Sequence, residues 1–283
     1  MRRILVPVDF STTSKKAFRF AVDLATKTDG VVILVHFYTP EKKTVFGSQE
    51  IADRNNKNTE SNYLKKLNRL KKKVLEESGA NVVISTIVGR TPVIENMLKY
   101  AAFHQIDMIV MGTQGAGGLK KVIIGSVASN IIAEADIPVI LIPEKYRMKK
   151  IEHVVFTTDI KKTDRKALPI VFDFAGLHDA AVTVVNLFLK LHADDQKGKE
   201  DFDAYAYHVR KTYNISKLDF KQIETKSVAK TMENLLEELP YDVLAMARRK
   251  LQPQDRIFQK SFTKDMAFMT TQPLIVVPEG ISL

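Results

Sequence analysis

Short apolar runs alternate with segments of helical periodicity along the first half of the chain. The apolar runs lie at residues 3–8, 31–37, 81–88, 106–111 and 139–142. Helical spacing of apolar residues covers about 13–28, 59–78, a segment opened by Thr91-Pro92, and 126–134. Strands covered on both faces read as continuous apolar runs, and strand–helix alternation is typical of a parallel, doubly wound sheet. The pattern therefore predicts a five-stranded parallel sheet flanked by helices.

The second half of the chain repeats this order. Asp159 follows the run 153–157 as Asp9 follows the run 3–8. Residues 181–187 correspond to 31–37, and both matches have an offset of 150. Residues 242–247 and 272–274 replay 107–112 and 137–139 at an offset of 135, because about 15 extra residues lie around 43–57. Matching anchors on both sides of one length change indicate an internal duplication. We therefore predict two domains, residues 1–146 and 150–283, with Pro169 kinking or delaying one helix of the second.

Glycines cluster after the predicted strand 106–111. The segment runs Met111-Gly112-Thr113-Gln114-Gly115-Ala116-Gly117-Gly118 and ends at Gly125-Ser126-Val127, where a helix is predicted to begin. Glycine lets a backbone turn tightly and approach a ligand closely, and the N–H groups at a helix start attract phosphate oxygens. The hydroxyl of Ser126 can cap the helix or bond a phosphate, and Lys120 and Lys121 can screen phosphate charge.

This spacing, G-x2-G-x9-G-S, is neither a Walker A loop nor a dinucleotide fingerprint after the first strand. It resembles the ATP-binding signature of the universal stress protein family. The segment from Asp9 to Ser14 resembles the first loop of that family, 32–37 its second strand, and 138–143 its last. The resemblance covers nearly all of the first half, and rests on the repeat over the second half. It implies two tandem Rossmann-like domains of the adenine-nucleotide-hydrolase type.

The resemblance also implies a ligand, ATP with or without Mg, and a set of contacts. Asp9, with Pro7 and Val8 beside it, would lie by the adenine and ribose. Phe37, which is larger than the small aliphatic residue usual there, would meet adenine through its backbone. The remaining contacts, along the ribose and phosphates, would come from Met111, Gly112, Gly115, Gly125, Ser126 and Val127. Asp9 acting only as a helix cap and the glycines acting only as a turn stay open as alternatives.

The second half lacks the glycine signature. At the offset of 135, Gly112, Gly115 and Gly125 become Ala247, Lys250 and Lys260, and only Ser126 finds its like in Ser261. Basic side chains from Arg248 to Lys250 would crowd the space of a triphosphate. We therefore expect no ATP in the second domain, where a smaller anion at the basic turn is the alternative.

Composition narrows the remaining choices. The chain has 283 residues, no cysteine and a net charge of +10, and no apolar run fits a signal peptide or a membrane span. A cytoplasmic protein without disulfides or thiolate metal sites is expected, and the scattered histidines predict no metal site. All the excess charge lies in residues 1–150, with six basic residues between Lys65 and Lys73. A solvated helix face explains them better than a nucleic-acid site.

The sequence therefore predicts an ATP-binding regulator in the stress response, with no catalytic residue assigned. A slow ATPase or self-phosphorylating enzyme, with Ser126 as acceptor, and a nucleotide-independent interaction scaffold are the alternatives. In the family the last strands of two such domains pair, which predicts pairing of 139–142 with 274–277 within the chain. Association of two chains stays open.

Overall fold

A computed structural model describes residues 2–42, 48–113, 125–160, 162–189, 196–225, 227, 230–232, 234, 238–248 and 270–279. The chain divides into two compact units, Met1–Glu144 and Lys145–Leu283. None of the described helices is long and apolar enough to cross a membrane.

The first unit alternates strands and helices as the sequence predicts. Its elements are β1 (Arg3–Pro7), α1 (Thr12–Thr28), β2 (Val31–Tyr38), α2 (Gln49–Ser78), β3 (Val83–Arg90), α3 (Val93–Phe103), β4 (Met108–Gly112), α4 (Ser126–Glu134) and β5 (Val139–Ile142). The strands are all parallel, in the order β3-β2-β1-β4-β5. The order reverses between β1 and β4, and in open α/β sheets a ligand binds at such a point, outside the carboxyl ends of the strands.

The second unit has the same architecture. Its described elements are β6 (His153–Thr158), α5 (Lys162–Leu177), β7 (Ala181–Leu189), α6 (Gln196–Thr212), β8 (Leu218–Thr225), β9 (Val243–Arg248) and β10 (Leu274–Pro278). The parallel order is β10-β9-β6-β7-β8. The predicted α/β fold with parallel sheets is thus confirmed. Pro169 lies inside α5, and that helix begins at Lys162, 150 residues after Thr12, so its start is not delayed.

Strand registers repeat between the units at the predicted offsets. Ile4 pairs with Met108 in the first unit, and Val154 pairs with Val243 in the second. Those pairs are related by shifts of 150 and 135 residues. Polar contacts repeat as well, because Asp107 Oδ2 accepts the backbone N–H groups of Arg2 and Arg3.

Asp242 makes the corresponding contacts in the second unit, with the backbone N–H groups of Glu152 and His153. Lys149 Nζ lies 2.6 Å from its other carboxylate oxygen. Partial burial acts to raise the pKa of Asp242, but these hydrogen bonds outweigh it and hold the pKa below its ordinary value. The duplicated aspartate therefore joins two neighbouring strands in each unit.

The long helix α2 begins ten residues earlier than the sequence predicts. Ser48 caps it by accepting the N–H of Ile51, and its first turns bury Ala52 and Asn56. This stretch is polar and shows no apolar period, so periodicity alone could not locate the start. The predicted apolar stripe does face the core, where Leu67, Leu70 and Val74 are buried. Five of the six basic residues are exposed, and the sixth, Lys71, is half-buried.

Candidate functional site

The loop after β1 carries the first group of candidate residues. Pro7 ends the strand, Val8 is buried with its N–H bonded to the carbonyl of Val35, and Asp9 is exposed. Asp9 Oδ1 accepts the N–H of Ser11 at 3.0 Å, and Ser11 in turn caps α1 by accepting the N–H of Ser14. The helix cap is therefore Ser11, and Asp9 holds the cap residue from outside the helix.

The end of β4 and the start of α4 meet at the same edge of the sheet. Met111 is buried, Thr113 donates its N–H to the carbonyl of Ile142 on β5, and its own carbonyl accepts the N–H of Gly125 at 2.8 Å. The two described residues that flank segment 114–124 are thus joined by a backbone hydrogen bond. Gly115, Lys120 and Lys121, also predicted to serve the site, lie outside the described residues.

Gly112 has a structural reason to be glycine. A Cβ atom there would lie 2.7 Å from Thr13 Cγ2 and 3.1 Å from the Thr13 carbonyl carbon. Real Cβ atoms do not approach so closely, so the missing side chain lets the first turn of α1 pack on β4. The glycine was predicted to serve a ligand, and its helix contact is a requirement that the sequence did not reveal.

The N-terminus of α4 is an anion-attracting feature at this edge of the sheet. Gly125 is the N-cap residue with φ −57° and ψ 148°, and no described side chain caps the helix. Ser126 occupies the first helical position and is exposed, with Val127 half-buried after it. Free N–H groups at a helix start carry partial positive charge. Since Ser126 lies inside the helix, its hydroxyl is not the cap that the sequence allowed.

Phe37, near the end of β2, borders a cavity of about 310 Å³. Its ring packs over Gly89, where a Cβ atom would lie 2.5 Å from Phe37 Cε1. The cavity walls come from β1, β2, β3 and α3, namely Leu5, Val35, Phe37, Ile87, Val88, Gly89, Arg90, Asn96 and Tyr100. The lining is largely apolar with a few polar groups, as is usual for pockets that bind flat organic ligands.

An aromatic cluster lies beside the Asp9 loop. The rings of Phe10 and His36 have centroids 4.9 Å apart, and the ring of Tyr63 on α2 lies 4.1 Å from that of His36 at an interplanar angle of 40°. Lys66 Nζ lies 5.2 Å from the Tyr63 ring centroid. Phe10 has a φ of 65°, a left-handed conformation that costs an ordinary residue about 1 kcal/mol. Packing against the cluster offsets that cost, and sequence reasoning missed it because Phe10 and Tyr63 are far apart along the chain.

His36 holds the loop through a hydrogen bond. Its Nδ1 lies 2.7 Å from the carbonyl oxygen of Val8, so this nitrogen carries the hydrogen. Burial lowers the pKa of His36, and although the Val8 carbonyl and the Asp9 charge act the other way, the pKa stays below its ordinary value. Asn186, at the same place in the second unit, donates its Nδ2 hydrogen to the Thr158 carbonyl at 2.9 Å. The ring therefore acts as a neutral donor that an amide can replace.

We expect His36→Asn to preserve this bond and to remove one source of acid sensitivity. The unfolded state binds a proton at the ordinary histidine pKa and the folded state resists it, so stability falls as pH drops below that value. Urea unfolding at about pH 7.5 and about pH 5.5 measures the difference. The variant should lose less stability on acidification than the parent. The exposed His208→Asn serves as control, and an unchanged pH difference in His36→Asn would contradict the assignment.

The corresponding loop of the second unit is closed by a buried carboxylate. Asp164, only 2% exposed, accepts hydrogen bonds from Thr158 Oγ1 at 2.7 Å and from the N–H of Asp159 at 2.9 Å. The N–H of Ile160 is taken by Thr158 Oγ1. The N–H groups of Asp159 and Ile160 are thus satisfied by side chains of the same unit, which leaves these two groups unavailable to a ligand.

The former glycine positions of the second unit are described only in part. Ala247 and Arg248 end strand β9, while Lys250, Lys260 and Ser261 lie outside the described residues. Among the described residues of both units, no group of three histidine, cysteine or carboxylate side chains has the arrangement of a metal site.

Comparison with known proteins identifies a family and several relatives that this chain resembles. The model of the universal stress protein family matches residues 1–143. Universal stress protein MJ0531 of Methanocaldococcus jannaschii is 30% identical over 144 residues, which are 50% of this chain and 81% of that protein. MJ0577 of the same organism is 29% identical over 157 residues, covering 51% of this chain and 96% of its own. The crystal structure of a universal stress protein from Archaeoglobus fulgidus aligns with 98% of this chain and 96% of its own, with a TM-score of 0.68 at 16% identity.

Proposed function

The chain belongs to the universal stress protein family, and from this premise we propose that its first unit binds ATP and acts as a nucleotide-dependent regulator in the stress response. The observation that carries the proposal is the junction of β4 and α4. The hydrogen bond from Gly125 to Thr113 brings a helix N-terminus that no described side chain caps to the carboxyl end of the sheet. That is where an α/β sheet binds phosphate groups.

The residues present fit an adenine nucleotide. The cavity beside Phe37 is largely apolar and of suitable size for a flat base, and Asp9 is exposed in the loop after the neighbouring strand β1. Phe37 would meet the base and Asp9 the ribose, with Pro7 and Val8 beside them. Ser126 and Val127 would hold the phosphates through their N–H groups. Met111, Gly112 and Gly115 would complete the ribose and phosphate contacts.

The residues assigned to the site favour binding over turnover. Asp9 is the one charged residue among them, and efficient phosphoryl transfer needs further charged groups. In the second unit, Asp164 accepts the N–H of Asp159 and Thr158 that of Ile160, which supports one nucleotide per chain rather than two.

Mass spectrometry of the ligand released from freshly purified protein tests the proposal. We expect an adenine nucleotide at close to one per chain, ATP binding by calorimetry after its removal, and hydrolysis no faster than a slow background. Rapid hydrolysis, or phosphate transferred to Ser126, would identify an enzyme instead. The absence of both nucleotide and binding heat would refute an ATP site and favour an interaction scaffold.

A further inference from the structure

Strand β3 is the outermost described strand of the first unit, and its hydrogen-bonding groups alternate in direction. The N–H of Thr91 bonds to the carbonyl of Tyr38, so the odd-numbered residues of β3 pair with β2. In a parallel ladder the N–H and C=O of one residue point to the same side. The N–H and C=O groups of Ile84, Thr86, Val88 and Arg90 therefore point away from the sheet.

Among the residues that the structure describes, side chains cover only the two ends of this outer edge. Lys71 Nζ donates to the carbonyl of Ile84 at 2.6 Å, and Asn96 Nδ2 donates to the carbonyl of Arg90 at 2.7 Å. Between them, the backbone groups of Thr86 and Val88 have no hydrogen-bond partner among the described residues. Two N–H donors and two C=O acceptors thus remain open at the spacing of an added strand.

The composition of this edge differs from that of its counterpart in the second unit. Residues 81–89 contain no charged side chain and are rich in β-branched residues, and Val83 is 67% exposed. The corresponding edge strand β8 carries Asp219, Lys221 and Glu224. Proteins commonly place charges on edge strands to prevent pairing with other chains. The charges of β8 therefore oppose pairing with another strand, whereas the edge of β3 lacks such charges and is able to pair.

Helix α2 gives the open edge a positive flank. The helix runs antiparallel beside β3. Lys71 is bonded to the carbonyl of Ile84, and Asn68 Oδ1 accepts the hydroxyl hydrogen of Thr86 at 3.0 Å. Lys65 and Lys72, three residues before and four after Asn68, lie on the same side of the helix and are exposed. Lys72 also has Glu76 at 3.7 Å, an exposed pair that contributes little.

We propose that the outer edge of β3 binds an extended peptide segment with acidic side chains at alternate positions, by adding it to the sheet as a further strand. The open groups of Thr86 and Val88 supply the backbone hydrogen bonds. The lysines of α2 face every second side chain of the added strand, and the exposed Val83 meets the intervening apolar ones. Pairing of β3 with a second copy of the chain is disfavoured, because it would bring two basic α2 helices together.

A fluorescently labelled octapeptide of alternating glutamate and valine, with blocked ends, is the probe for anisotropy titration. A peptide with lysine in place of glutamate is its control. Thr86→Pro removes one outward N–H without touching the ladder to β2, and should weaken binding about tenfold. Thr86→Val loses only the Asn68 contact and should bind within about twofold of the parent.

A second pair of variants tests the charge flank. Lys65→Glu with Lys72→Glu should reduce binding about tenfold or more, while Lys199→Glu with Lys211→Glu on α6 makes the same change in net charge and should have little effect. Failure of the acidic peptide to bind, equal binding of the lysine peptide, or equal binding by Thr86→Pro and Thr86→Val would each overturn the proposal. So would concentration-dependent dimers that Thr86→Pro abolishes, since they would identify a second copy as the partner.

Discussion

A Gly125→Asp substitution is expected to weaken ATP binding by about a hundredfold or more while leaving the first unit at least as stable as before. Gly125 is the N-cap residue of α4, and its φ of −57° and ψ of 148° are open to aspartate. An aspartate at this position accepts N–H groups of the first helical turn and stabilises the helix. The same carboxylate occupies the groups that a phosphate needs and repels its charge.

Calorimetric titration with ATP and thermal unfolding of the same samples separate the two effects. Ser126→Ala, which removes a hydroxyl and leaves the N–H groups, should weaken binding by only about tenfold or less. Gly125→Asn provides a neutral cap of similar shape, and its loss of ATP affinity should lie between those of Gly125→Asp and Ser126→Ala. If Gly125→Asp binds ATP as tightly as the parent protein, the phosphates do not lie at the start of α4 and the proposed site is wrong.

Replacing the buried carboxylate of the second unit has the largest expected effect on stability. Asp164→Ala should lower the free energy of unfolding of that unit by about 3 kcal/mol, because it leaves the buried hydroxyl of Thr158 and the part-buried N–H of Asp159 without their acceptor. Urea unfolding of the full chain measures the change. Hydrogen exchange of the backbone amides in β6 and β7 assigns it to the second unit.

Matched substitutions show whether the carboxylate itself matters. Asp164→Asn keeps the shape and an acceptor oxygen and should cost roughly half as much. Ser14 occupies the corresponding helix position in the first unit, where its hydroxyl donates to the local Ser11 carbonyl at 3.1 Å and accepts from the Ser11 hydroxyl at 3.2 Å. Ser14→Ala should therefore cost about 1 kcal/mol. Equal losses for Asp164→Ala and Ser14→Ala would show that the loop of the second unit does not depend on the buried charge.

The sequence predicted those features that apolar pattern and repetition encode. The bounds of α4 and β5 are as predicted, since Gly125 marks the start of one and Pro138 the start of the other. The offsets of 150 and 135 residues reappear in the pairing of Ile4 with Met108 and of Val154 with Val243. Strand pairing follows from such repeats because each unit must bury the same set of faces.

Features that depend on contacts between distant residues could not be predicted. Nothing in the sequence shows that Thr13 presses on Gly112, or that Phe10 adopts a positive φ against a ring from α2. The predicted start of α2 was wrong, because the helix begins after Ser48 with a polar stretch that has no apolar period. Within the candidate site, the residue types were predicted from a motif, while the role of Ser11 as helix cap emerged only from geometry.

The hydrogen bond between Thr113 and Gly125 has a further consequence for protein engineering. It joins the two residues that flank segment 114–124 of the sequence. The entropic cost of closing a flexible loop grows slowly, by only about 0.6 kcal/mol for each doubling of its length. A longer reporter sequence or a different recognition loop can therefore be grafted between these two residues while β4 and α4 keep their places, so that ligand choice and scaffold stability become separately adjustable.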